Sequence, residues 1–146
     1  MVDIKKLDED LIALIEKRNE LKQLDYNDSA YDDMEEELHD MEDDFVENYG
    51  DFLEDALQAV HDEFCPENDV LLPTAYIAKA YKEVKDEETG ETKFLPTLKD
   101  GVLVDVEMYL NHVSRLVIVP KPTRIVLSVD NSHAEEVWNS ENAIQS

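Results

Sequence analysis

Asp32-Asp33-Met34-Glu35-Glu36-Glu37-Leu38-His39-Asp40-Met41-Glu42-Asp43-Asp44-Phe45 is the densest part of the stretch that decides the fold, Asp25 to Asp69. That stretch holds nineteen Asp and Glu and no Lys or Arg. Residues 1–24 hold six acids and five bases, and residues 70–146 hold twelve and eight, so about four-fifths of the net charge of −24 sits in less than a third of the chain. A run of like charge reads first as disorder. The apolar spacing argues against it: Tyr31, Met34, Leu38, Met41, Phe45, Tyr49, Phe52, Ala56, Val60 and Phe64 step by three or four. That is one stripe on a helix, with carboxylates over the rest. Ser29 with Asp32 makes a capping-box-like start, Asp standing in for the usual Glu. Gly50 is a weak point, about 1 kcal/mol worse than Ala, and a place for a kink. Pro66 ends the helix. A helix over 29–64 is roughly 54 Å long.

Working outward, Ile4, Leu7, Leu11, Leu14, Leu21 and Leu24 predict a first helix over 3–24 on a heptad-like stripe that Arg18 interrupts. The short polar connection Asp25–Ser29 suits an antiparallel hairpin. In such a pair the numbers of facing residues share a near-constant sum. It is 55 for Leu24–Tyr31, Leu21–Met34 and Leu14–Met41, and 56 for Leu11–Phe45, Leu7–Tyr49 and Ile4–Phe52. The same register sets Arg18 beside Glu37, Lys22 beside Asp33 and Lys5 beside Asp51, pairs worth about 0–1 kcal/mol each when exposed. The first helix runs out at Phe52. Leu53, Leu57, Val60 and Phe64 continue beyond it and need another cover, from the β half of the chain or from a second copy, so these four are the candidate self-association surface.

After Pro66 the pattern changes to period two. Val102, Val104, Val106, Met108 and Leu110 alternate as a half-buried strand. Leu116–Val119 and Arg124–Val129 are β-branched runs separated by Pro120-Lys121-Pro122-Thr123, and Lys82–Lys85 and Thr92–Leu95 flank a hairpin loop containing Gly90. Residues 74–81 read as a helix turn after Pro73 or as a strand, with strand preferred. Residues 132–138 read as a short capped helix, and the tail from Asn139 as frayed. The result is an α+β protein: a helical hairpin over 1–66, a small antiparallel β domain over 67–138 open to partial closure into a barrel, and a tail over 139–146.

Composition narrows function. Residues 1–6 lack the apolar run of a signal peptide, and no stretch reaches the roughly 18 apolar residues of a membrane span. Cys65 is the single cysteine, so no intrachain disulfide forms. The expectation is a soluble cytoplasmic protein. A charge of −24 disfavours nucleic acid and anionic membrane and favours basic partners or cations.

No catalytic constellation is legible. Glu36-x-x-His39 lacks the second motif that a di-iron bundle needs. His61 and Cys65 share a helix face, but zinc needs more soft ligands and a thiolate needs an electropositive setting. The acid run lacks the Gly-containing loop of a calcium site. Asp105, His112 and Ser114 supply triad residue types without a nucleophile elbow. Arg115, Lys121 and Arg124 could form a small anion or self-association patch. No metal or cofactor is expected. The reading is a non-enzymatic interaction module that docks a basic protein through Glu36, Asp40, Asp43, Asp44 and Glu47, the face opposite the stripe. Two other classes compete: an enzyme, small-molecule or metal-dependent, with its site in the β domain near His112 and Arg115, and a nucleic-acid-mimicking inhibitor of a DNA-binding protein.

Overall fold

The computed structural model describes residues 3–78, 81–96, 101–109, 111–120, 123–130 and 133–143. Asp3 opens the first helix by accepting from the N–H groups of Lys5 and Lys6 at 3.1 and 3.2 Å, which satisfies two of the orphan donors of a helix start. Helix α1 spans Ile4–Gln23 and buries Leu7, Leu11, Leu14 and Ile15. Each such side chain contributes about 1.5–3 kcal/mol by leaving water. Helix α2 spans Tyr31–Phe64 and runs unbroken through Gly50. The two helices form the antiparallel hairpin, with Leu14 and Met41 lining one groove between them.

The start of α2 departs from expectation. Ala30 occupies the cap and no side chain caps the helix. Asp28, not Ser29, organises the turn, accepting from the Ala30 N–H at 2.9 Å. The ion pairs also differ. Lys17 reaches Glu37 at 3.3 Å, and Arg18 reaches Glu42 at 3.1 Å. Arg18 turns inward because two buried carbonyls wait there: its Nη1 donates to Ile77 and Ala78 at 2.9 and 3.2 Å. Beside it, the Asn19 side chain exchanges two hydrogen bonds with the Tyr81 backbone, at 3.1 and 3.2 Å. Helix α1 is thereby fastened to the segment that enters the β half.

Six strands follow: β1 (Tyr81–Lys85), β2 (Thr92–Pro96), β3 (Val102–Val104), β4 (Ser114–Val119), β5 (Arg124–Val129) and β6 (His133–Asn139). They form two antiparallel sheets, β1-β2 and β3-β4-β5-β6, and not a closed barrel. The β1–β2 hairpin turns at Gly90 with φ +73°. Leu116 faces Leu127 and Ile118 faces Ile125, all four fully buried. Ile125 also faces Trp138, whose ring meets Phe52 of α2 edge-on at 5.8 Å. This face of the larger sheet therefore packs on the helices, and one continuous core joins both halves.

Three local readings are corrected. The expected strand over 102–110 stops at Val104, and Glu107–Tyr109 is a 3-10 turn, while Leu110 lies outside the described residues. Gly101 explains the early departure. Its φ is +105°, and a Cβ there would sit 2.5 Å from the Leu116 carbonyl oxygen. The chain leaves the β4 edge at that point, and Ile77 bridges to Ile118 further along. Within 74–81, Pro73–Tyr76 is a 3-10 turn and the strand begins only at Tyr81. The expected helix over 132–138 is strand β6, because the free edge of β5 offers it a full ladder; Ser132 lies outside the described residues. The tail continues in order past Asn139. Helix α3 spans Ser140–Ala143, and the Ser140 N–H donates to the Thr123 carbonyl at 3.0 Å.

Leu53, Leu57 and Val60 are buried and Phe64 is half-buried within this single chain. The turn at Pro73–Tyr76 and strand β6 lie against α2 and supply the cover. An interface between copies built on these four residues would require opening the core.

Candidate functional site

Leu38, Phe45 and Tyr49 fix the rotation of α2 by facing inward. At 3.6 residues per turn, Glu36, Asp40, Asp43, Asp44 and Glu47 then share the opposite side, and all five are exposed. Among the described residues none of the five makes an ion pair or a side-chain hydrogen bond. The bases of α1 are spent elsewhere: Lys17 lies between Glu20 and Glu37, and Arg18 binds Glu42. Those partners flank the outward face and do not belong to it. On the inner side, the Tyr49 hydroxyl donates to Asp10. Burial, then that carboxylate, pushes the Tyr49 phenol well up from its ordinary range.

His39 is exposed beside these acids, and among the described residues no three metal-ligating side chains converge. His61 is buried with both ring nitrogens engaged. The Asn68 carbonyl, 3.0 Å from Nδ1, can only accept, so Nδ1 carries the proton and Nε2 accepts from the Tyr76 hydroxyl at 2.9 Å. That hydroxyl in turn accepts from the Leu71 N–H at 3.1 Å. His61 is a structural group here, with no free nitrogen to activate its neighbour. Burial, then Asp105, pushes the Cys65 thiol up, which is the wrong direction for a nucleophile.

The triad types do not assemble. His112 pairs through Nδ1 with Asp130, not with Asp105, and the Ser114 hydroxyl is buried without a partner. Asp130 also accepts from the Val113 N–H at 2.7 Å. That bond and then His112 hold its carboxyl below the usual range. Arg124 lies 3.8 Å from Glu136 and donates to the Pro120 carbonyl at 3.2 Å. Lys121 lies outside the described residues.

Two clefts were not legible in the sequence. One of about 490 Å³ lies between the open end of the hairpin and the Pro73–Tyr76 turn, lined by Arg18, Leu21, Lys22, Tyr31, Leu38 and Ile77, among others. The other, about 390 Å³, lies on the outward side of α2, where Glu54, Asp55 and Gln58 face Val70, Leu71 and Leu72. Only residues far apart in the chain make them, so spacing carries no signal. No helix among the described residues is long and apolar enough to cross a membrane. No known family, curated protein or solved structure matches the chain.

Proposed function

We propose that this protein is a non-enzymatic interaction module whose outward face of α2 docks a basic protein. The observation that carries the reading is the set of five exposed carboxylates, Glu36, Asp40, Asp43, Asp44 and Glu47, with no base of their own. Keeping like charges together on one helix face is destabilising. A complementary surface removes that cost when it binds, and the field raises the rate of encounter with positive partners. The interaction weakens with salt, because exposed charges are screened over about 8 Å at physiological ionic strength.

The test compares two variants with four charges removed. Glu36→Gln/Asp40→Asn/Asp43→Asn/Glu47→Gln clears the face. Glu83→Gln/Glu87→Gln/Glu88→Gln/Glu91→Gln clears exposed acids of the β1–β2 hairpin. Proteins captured by the wild type at low salt should be lost by the first variant and kept by the second. Equal loss from both would reduce the acids to general charge, and retention by both would remove α2 as the docking face.

A further inference from the structure

The acidic side of α2 does not end at Glu47. Asp51, Glu54, Asp55 and Gln58 keep to the same side of a 3.6-residue helix, so the strip from Glu36 to Asp55 runs about 28 Å. At its end it meets the cleft of about 390 Å³, whose far wall is apolar: Val70, Leu71 and Leu72. Leu71 and Leu72 are adjacent and 47% and 57% exposed. Two neighbouring leucines in water are ordinary on a mobile loop. These stand on a backbone fixed at both ends. Upstream, Asn68 is held by His61 through its carbonyl and by the Asp105 N–H through its side chain, at 2.8 Å. Downstream, the Leu71 N–H donates to the Tyr76 hydroxyl and the Leu72 carbonyl accepts from Ala75 at 2.9 Å. Pro73 then starts the 3-10 turn. The buried His61–Tyr76 pair thus holds an exposed apolar ledge against an acidic wall.

We infer that this cleft receives a positively charged peptide segment of the partner, with an apolar side chain on the ledge of Leu71 and Leu72 and its cations along α2. The inference rests on the proposed docking face and adds the chemistry of what docks. Charge complementarity selects the occupant. Glu54 and Asp55 line the cleft without a base among the described residues, and Gln58 is tied to Asp62 at 2.8 Å. An acidic segment meets repulsion along the whole strip, and a purely apolar one leaves the carboxylates unanswered. A preformed ledge costs no ordering when it binds.

The test uses two synthetic lysine-rich peptides of equal charge, one with two leucines at one end and the other with serines there. Each is titrated calorimetrically into the intact protein near physiological salt. The wild type should bind the leucine peptide about tenfold tighter, and Leu71→Ser/Leu72→Ser should abolish that preference while binding the serine peptide as before. Both replaced side chains are exposed, and an unchanged melting temperature checks the fold. In the wild type, the amide resonances of Gln58, Leu71 and Leu72 should shift with the leucine peptide and not with the serine peptide. A preference that is absent, or that survives the double substitution, overturns the ledge. The docking face fails separately, if the variant lacking the charges of Glu36, Asp40, Asp43 and Glu47 binds the serine peptide as tightly as the wild type.

Discussion

The two halves of α2 carry the same apolar spacing and end up in different surroundings. From Tyr31 to Glu47 one neighbour, α1, covers a narrow stripe, and Leu38 and Phe45 are the buried side chains. From Tyr49 to Phe64 the buried set is broad: Tyr49, Gly50, Leu53, Ala56, Leu57, Val60 and His61. An i, i+4 row drifts about 40° per step around a helix of 3.6 residues per turn. The row Phe45, Tyr49, Leu53, Leu57, His61 therefore swings from α1 toward the β half. Covered by a second layer, this half tolerates few outward acids and holds the core. The first half keeps its carboxylates because nothing in the chain lies over them.

The sharpest test of this contrast compares one truncation in each half. Leu57→Ala empties a fully buried position and should cost about 3–5 kcal/mol, transfer and cavity terms together. Met41→Ala, at a half-buried position, should cost about 1 kcal/mol. Urea unfolding reads both, and similar losses would show that the halves are not differently loaded.

Next in size is the latch that commits the hairpin to the β half. Arg18 is 14% exposed at its side chain and answers Glu42 together with the carbonyls of Ile77 and Ala78. Arg18→Leu orphans all three, for a loss of about 2–4 kcal/mol. Glu42→Gln keeps both carbonyl bonds and should cost only about 1 kcal/mol. A larger loss from Glu42→Gln than from Arg18→Leu would mean that the ion pair, not the carbonyls, fastens the halves.

Tyr76→Phe removes one hydroxyl that serves two partners, His61 and the Leu71 N–H. The expected loss is about 1–2 kcal/mol, and the Leu71 amide should exchange its hydrogen faster than in the wild type. Unchanged exchange would detach the ledge from the buried pair.

The outward face works in the opposite direction. Neutralising Glu36, Asp40, Asp43 and Glu47 removes several like-charge pairs one turn apart, each unfavourable by roughly 0.2–0.5 kcal/mol. The variant should gain about 1 kcal/mol in low salt. Added NaCl should raise the melting temperature of the wild type more than that of the variant. Destabilisation by the four changes would mean that these acids support the fold.

How far the sequence could be read follows the same division. The hairpin was legible because one stripe met one stripe, and Leu14 facing Met41 needed only counting. The cover over Leu53, Leu57 and Val60 was not, since it comes from Tyr76, Trp138 and their neighbours, whose approach depends on the whole topology. Strand β6 was misread as a helix because His133-Ala134-Glu135-Glu136 has helical composition; pairing with β5 overrode it. The five acids were found on the correct side of α2, since a solvent face is the complement of a stripe. The ledge at Leu71–Leu72 left no trace, because its exposure is set by His61 and Tyr76.

Asp130 offers the smallest effect and a contrast within the acids themselves. The carboxylates on α2 repel one another, whereas this one accepts from the Val113 N–H and pairs with His112. It sits at positive φ, +53°, in the connection after β5. The Val113 bond, then His112, lowers its pKa below the ordinary 3.8. A depressed folded value means that the unfolded chain binds more protons in that interval, so stability rises with pH across it. The contribution is therefore complete above about pH 3.8 and is lost as pH falls through the lower folded value. Asp130→Asn removes the titration and keeps one acceptor for Val113. Unfolding free energies from pH 5 down to 2.5 should fall more steeply for the wild type than for the variant. Parallel curves would show that this carboxylate, like those on α2, does nothing to hold the fold together in acid.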